Sequence, residues 1–266
     1  MILLVHLRVM EFIDTHTHNY DEMYPPEEQD AVIGRALEAG VKLLIQADIS
    51  SVERPAMMSL ADRHPECLRV MAGLYPGSVG SDWRDEVAAV EQTLRERKVV
   101  AVGEIGLDYH YGADTAELQK EAFRVQLELA AECGLPVNIH LREATEDFFR
   151  IMEDCRHLHL RGNLHAFSGS AETFRRLEKL GDWYVGIGGV VTFRKAGIAQ
   201  SIVDIPTERI LLETDSPYLT PVPYRGSRNE SAYIPIIAAK IAEIKGLSLE
   251  EVARVSTQNA KELFAL

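Results

Sequence analysis

The feature that most constrains this chain is an alternation. Short runs of β-forming residues, ending near His16, Asp48, Tyr75, Glu104, His140, His165, Ile187 and Glu213, are separated by stretches with helical patterning. The repeat is the size of one βα unit, since a βαβ crossover takes roughly 30 residues or more. Eight such units predict a closed barrel of parallel strands rather than an open sheet. The fold class is therefore α/β, a single (β/α)8 TIM-type barrel. The clearest helix spans 114–133. Leu118, Phe123, Leu127, Leu129 and Ala130 make one apolar stripe, and Gly134-Leu135-Pro136 ends it. The chain's 266 residues suit one barrel of about 250 residues. With no Gly/Ser linker, low-complexity tract or charge block, residues 10–266 read as one domain.

Barrels of this kind place their catalytic groups at the carboxyl ends of the strands. Function is therefore sought there. His16-Thr17-His18 closes the first strand, and residues i and i+2 share a strand face, so both imidazoles can converge on one ion. Glu104, flanked by glycines after an apolar run, is an acid that is costly to bury alone. A salt bridge and a carboxylate bridging two cations both meet that need. His140 and His165 close two further runs, where a hydrogen-bonded core histidine and a metal ligand are both consistent. Asp215 follows the last run. It is placed either to cap a helix or to complete a metal shell and contact a nucleophilic water. Four imidazoles and two carboxylates without thiolate suit Zn²⁺, Mn²⁺, Co²⁺ or Mg²⁺, and the imidazoles tilt against a purely Mg²⁺ site. His6, His64, His157 and His159 read as surface groups, and His110 lies near the expected rim.

Charge narrows the partners. Lys+Arg number 28 against 41 Asp+Glu, a net charge of −13. That argues against a long basic groove for duplex nucleic acid, because such affinity comes mostly from Lys and Arg at phosphates. Capture of a few phosphates remains compatible. No window approaches 18 continuous apolar residues, so no spanning helix is expected. Cys67, Cys133 and Cys155 are widely spaced and odd in number, which reads as reduced thiols in a cytoplasmic protein. Residues 1–9 are apolar but lack a basic n-region and a cleavage site, so they do not read as a signal peptide. They are expected to be an N-terminal extension ahead of a functional start at Met10, with an extra strand or barrel-floor plug as the alternative.

Several motifs taken in order resemble the TatD family of metal-dependent hydrolases, within the amidohydrolase-like barrels. They are Ile13-Asp14-Thr15-His16-Thr17-His18, Gly103-Glu104-Ile105-Gly106-Leu107-Asp108-Tyr109, Ile139-His140-Leu141-Arg142, His165-Ala166-Phe167-Ser168-Gly169, residues 186–193, and Leu212-Glu213-Thr214-Asp215-Ser216-Pro217-Tyr218-Leu219. The resemblance runs from about Met10 to the carboxyl terminus. It implies a dinuclear site at the strand ends, with two divalent ions per subunit. His16, His18, Glu104 and Asp215 would hold one ion, and Glu104, His140 and His165 the other. Glu104 would bridge, and Asp215 would take or orient the proton of the attacking water. The implied activity is a metal-dependent deoxyribonuclease of the 3′-5′ exonuclease type, acting on a nucleic-acid end, single-stranded DNA first. No membrane and no obligate protein partner are implied.

Three departures stand out. Tyr75 occupies a place where the family usually has His, and Tyr is a poor base at neutral pH. Ala166 replaces a common Cys, and Ser231 a common Pro. Arg225, Arg228 and Asn229 follow the last strand in a Pro/Gly-rich loop. They are candidates to grip a neighbouring phosphate, with Tyr75 beside them as a substrate-binding candidate, since Arg offers forked donors that match phosphate oxygens. A solvated loop is the alternative. Tyr109 and Phe167 are candidates to stack a base, with ordinary packing as the alternative. The competing function is a metal-dependent ester or amide hydrolase, such as a D-aminoacyl-tRNA deacylase or a small-molecule amidohydrolase. A non-catalytic binding protein is the poorest reading, because no ligand position is substituted.

Overall fold

The computed structural model describes residues 10–266. The expectation for residues 1–9 lies outside the described residues. Eight strands follow in chain order: β1 (Phe12–Thr17), β2 (Val41–Gln46), β3 (Leu68–Val70), β4 (Val102–Asp108), β5 (Val137–Arg142), β6 (Gly162–Leu164), β7 (Trp183–Ile187) and β8 (Ile210–Leu212). All ladders are parallel, from β1 to β3 and from β4 to β8. The two arcs close into a barrel. Ala72 bridges Val102 on one side, and Thr17 bridges Ser216 on the other.

The helices are α1 (Pro26–Glu38), α2 (Arg54–Arg63), α3 (Trp83–Glu96), α4 (Ala116–Cys133), α5 (Thr145–Asp154), α6 (Ala171–Glu178), the single turn α7 (Ile198–Ser201), α8 (Ile234–Lys245) and α9 (Leu249–Phe264). The predicted helix at 114–133 is α4, entered through a 3-10 turn at Ala113–Thr115. Gly134 ends it in the left-handed conformation (φ 65°), where glycine meets no Cβ penalty.

Two layers of core follow from the strand period. Phe12, Leu44, Ile105, Ile139, Leu164, Val185 and Leu212 belong to the layer between barrel and helices. Ile13, Ile45, Met71, Ala101, Tyr184 and Leu211 pack in a second cluster with Leu263 and Phe264 of α9. That packing fills the barrel and leaves function to its other end.

Two expectations need correction. His140 was read as closing its run, but β5 continues past it to Arg142. Glu104 was read as closing its strand, but β4 runs on through it to Asp108. The strand continues because Ile105, Gly106, Leu107 and Asp108 pair with Ile139, His140, Leu141 and Arg142 beyond a register shift. Gly106 is required there: at φ 140° it lies against His140, and a Cβ would strike the His140 carbonyl.

Buried amides brace this rim. Gln119 of α4 accepts from the Asp108 N–H (2.8 Å) and donates to the carbonyls of Asp108 (3.0 Å) and Gly112 (2.9 Å). Gln126 accepts from the Leu74 N–H at 2.7 Å, next to Tyr75.

Candidate metal centre

The residues read from the strand ends converge. Both imidazoles of His16 and His18 turn to one side of β1, with their Nε2 atoms 3.1 Å apart. Glu104 Oε2 lies 3.4 Å from His16 Nε2 and 3.8 Å from His18 Nε2. Asp215 Oδ1 lies 3.6 and 3.5 Å from the same two atoms. The other oxygen of Glu104 faces a second pair: Oε1 is 2.8 Å from both His140 Nδ1 and His165 Nε2. Those two nitrogens are 3.0 Å apart.

Donors that each sit about 2 Å from one cation must lie within about 4 Å of each other. Both groups meet that condition with nitrogen and oxygen donors, so the residues present fit two divalent cations sharing Glu104. His16 also stacks face to face on His165, ring centroids 3.9 Å apart, which holds the two groups side by side.

The electrostatics of the protein alone are those of a cation site. Burial would raise the Glu104 carboxyl, but His165 and His16 hold it well below the usual carboxylate range. Burial would likewise raise Asp215, and the His18 contact and nearby imidazoles bring it down. Burial, reinforced by His165, lowers His16 to about 4, so it offers a lone pair at neutral pH. Burial pulls His140 down, yet its contacts with Asp108 and Glu104 carry it up to about 9.

Three residues that the sequence reading did not single out complete the arrangement. The Asp108 Oδ2 lies 3.0 Å from His140 Nε2. Asn138 Oδ1 lies 2.9 Å from His16 Nδ1, and its amide donates to Asn163 Oδ1 at 3.1 Å. Glu213 accepts from the Ala166 N–H and lies 3.9 Å from His165 Nδ1. A Cβ at Gly186 would strike the Glu213 carboxylate, so the glycine makes room for it. His18 Nδ1 faces the Ala47 carbonyl at 3.1 Å. Outer partners of this kind fix the tautomer and orientation of ligand histidines. The available signal was spacing: Asn138 precedes His140 by two on β5, and Glu213 precedes Asp215 by two.

The substrate-binding candidates fare differently. Tyr75 sits at the site, its hydroxyl 3.3 Å from Asp108 Oδ2 and its ring edge-on to His140 at 5.1 Å. Burial and then the charge of Glu104 push its phenol up, which keeps it protonated. Arg225 is exposed over the Phe193 ring at 4.3 Å and pairs with no carboxylate among the described residues. Arg228 is already engaged: it donates to the Met23 carbonyl and to Glu28, each at 2.7 Å, and lies 4.6 Å over Tyr24. Asn229 is fully buried, donating to the carbonyls of Thr214 (2.8 Å) and Tyr218 (2.5 Å). Both thus have loop-holding contacts in place of the free donors expected. Phe167 is buried but lines the cavities beside the site, and Tyr109 is half-buried against the core with its hydroxyl donating to Asp147 at 2.8 Å. His110 pairs with Glu143 at 2.7 Å.

Barrel and donor cluster together define an amidohydrolase-like, metal-dependent hydrolase. The TatD related DNase family matches residues 13–265, and the chain belongs to that family. It is 38% identical over 256 residues to the uncharacterized metal-dependent hydrolase YabD of Bacillus subtilis, covering 95% of this chain and 98% of that one. It is 37% identical over 246 residues to the 3′-5′ ssDNA/RNA exonuclease TatD of Pantoea ananatis, covering 90% and 94%. The crystal structure of YjjV, a TatD homologue from Escherichia coli, superposes with a TM-score of 0.88 at 30% identity, covering 96% and 98%.

Proposed function

We propose that this chain is a two-cation phosphodiesterase that trims single-stranded nucleic acid, DNA first, from its 3′ end. The observation that carries the reading is the division of Glu104 between two donor pairs, Oε2 toward His16 and His18 and Oε1 toward His140 and His165. Paired cations suit in-line displacement at phosphorus. The exonuclease name carried by the Pantoea relative supports the substrate class.

When bound, two divalent ions (Zn²⁺, Mn²⁺, Mg²⁺ or Co²⁺) would supply Lewis acidity at the phosphoryl oxygen and an acidified water. His16, His18, Glu104 and Asp215 would hold one, and Glu104, His140 and His165 the other. Asp215 is the most open of the first group, its side chain 17% exposed. Its carboxylate orients the attacking water and takes its proton. Glu104 supplies the negative charge that both positions share. Tyr75, kept protonated, is a hydrogen-bond donor at the mouth and not a base. Arg225 is an exposed rim cation with no ion pair among the described residues and can meet a phosphate, whereas Arg228 and Asn229 shape the loop that carries it. Residues 10–266 act as one hydrolase domain. The reading needs no protein partner and no membrane, and no helix among the described residues is long and apolar enough to cross one. Three free thiols accord with a cytoplasmic setting.

The test is end-labelled single-stranded DNA incubated with the protein in Mn²⁺ and in Mg²⁺, with EDTA and Asp215→Asn as controls. Stepwise shortening that both controls abolish is expected. Intact DNA after incubation with protein that measurably retains metal would overturn the reading in favour of ester or amide hydrolysis.

A further inference from the structure

Beside the donor cluster, between the loops after β5 and β6, opens a cavity of about 330 Å³. It shares His165 with the second donor group, and its polar lining is otherwise Arg142, Glu143, Thr145, Ser168 and Thr173, with Phe167 among the apolar walls. Arg142 follows His140 by two residues on β5 and is half-buried. Acids exceed bases in this chain, 41 against 28, and most arginines here are claimed by carboxylates. Arg142 is not: among the described residues its guanidinium has no carboxylate partner and instead lies over the Tyr111 ring at 4.8 Å. The carboxylate in this lining, Glu143, is held by His110 at 2.7 Å. The hydroxyls of Thr145 and Ser168 have no hydrogen-bond partner among the described residues, so they too are available.

We propose that this cavity is an anion subsite, which holds the phosphodiester next to the scissile one. Arg142 grips that phosphate through its forked donors, with Thr145 and Ser168 as hydroxyl donors. The inference rests on the nuclease reading and names where the strand continues past the reacting phosphate.

The test uses metal-loaded wild type and Arg142→Ala, with Arg142→Lys as the conservative variant. Binding of a labelled oligonucleotide with phosphorothioate linkages, which resist cleavage, is followed by anisotropy across a salt series. Hydrolysis of bis(p-nitrophenyl) phosphate, which has a single phosphodiester, is followed alongside. Arg142→Ala is expected to raise Kd by about 10-fold or more, as for loss of a charge-assisted hydrogen bond. It should also lower the slope of log K against log salt by about 0.7, one single-strand phosphate contact. Turnover of the small diester, melting temperature and metal content stay at wild-type values, and Arg142→Lys recovers part of the affinity. Unchanged oligonucleotide affinity and slope in Arg142→Ala, with wild type binding normally, would sink the subsite alone. Equal loss on both substrates would make Arg142 a support for His140 and overturn the proposal. Wild type that binds no oligonucleotide would overturn the nuclease reading, and the subsite with it.

Discussion

Asp108 Oδ2 lies 3.0 Å from Nε2 of His140, on the side of the ring opposite the nitrogen that faces Glu104. A carboxylate on one ring nitrogen fixes the proton there and leaves the other nitrogen's lone pair for a cation. Asp108 is itself held by the backbone N–H groups of His110 (2.8 Å) and Tyr111 (3.0 Å), so the ring is oriented by a chain of fixed contacts. Asp108→Asn keeps the size and loses the charge. Metal affinity measured by chelator competition should fall about 10–100-fold, with the melting temperature of the metal-free protein little changed. Wild-type affinity in the variant would remove Asp108 from the centre.

Glu104 turns one oxygen to the His16–His18 pair and the other to the His140–His165 pair. Glu104→Gln should therefore affect two positions at once. Elemental analysis is expected to fall from two ions per chain to one or none. The loss of affinity should exceed the about 100-fold upper end for an outer partner. A variant that still holds two ions would show that the carboxylate does not bridge.

The centre was legible because its donors follow the strand period. His16 in β1 and His18 just past its end turn to one side, and His140 and Asp215 lie near the carboxyl ends of β5 and β8. The outer partners were not legible in the same way. Asn138 meets His16 across 122 residues of sequence, and only the closed barrel sets the inward side chains of β1 and β5 opposite each other. The internal contacts of Arg228 and Asn229 were not legible for the converse reason: nothing in a polar Pro/Gly-rich loop shows that Tyr24, Thr214 and Tyr218 fold against it. The far limit of β4 also escaped notice, because two glycines and an acid conceal a strand whose partner, β5, supplies the register.

Removing metal should lower stability as well as activity. Cations that bind the folded chain alone stabilise it by about 2.7 kcal/mol at 100 times Kd. Without them, one buried pocket retains Glu104 and Asp215 opposite four imidazoles. Thermal melts with EDTA, then with Mn²⁺ or Zn²⁺ restored, are expected to show a reversible shift. The shift should be smaller in Glu104→Gln. A melt that ignores the chelator, in protein shown to have lost its metal, would count against a metal centre within the barrel.

Thiol chemistry offers a check on burial away from the centre. Cys133 is exposed, while Cys67 and Cys155 are buried. Burial, helped by Glu66, pushes the Cys67 thiol up to about 11. Burial also raises Cys155. A raised thiol pKa leaves less thiolate at a given pH, and the thiolate is the reactive form. At pH 8, a disulfide reagent should therefore modify Cys133 quickly and the other two slowly. Denaturant should make all three react. Modification of Cys67 as fast as Cys133 at pH 8 would contradict its placement.

The loop after β8 separates a ligand contact from a scaffold. Asn229 donates to two carbonyls, those of Thr214 and Tyr218, and accepts from the Glu230 N–H at 2.9 Å. Asn229→Ala leaves these buried groups unpaired, a cost of about 2–4 kcal/mol. For a protein of this size, that lowers the melting temperature by roughly 5–15 °C. Arg225 makes no ion pair among the described residues and sits on the exposed rim over Phe193. Arg225→Ala should therefore leave the melting temperature within about 1–2 °C, since surface changes stay near ±0.5 kcal/mol. It should instead raise KM for an oligonucleotide and leave kcat largely intact, the pattern of lost uniform binding. Arg228→Ala, which loses contacts to Met23, Glu28 and Tyr24, belongs with Asn229: a lower melting temperature precedes any change in KM. If Arg225→Ala were the destabilised variant, and Arg228→Ala the one with altered KM at unchanged stability, the roles assigned to the two arginines would have to be exchanged.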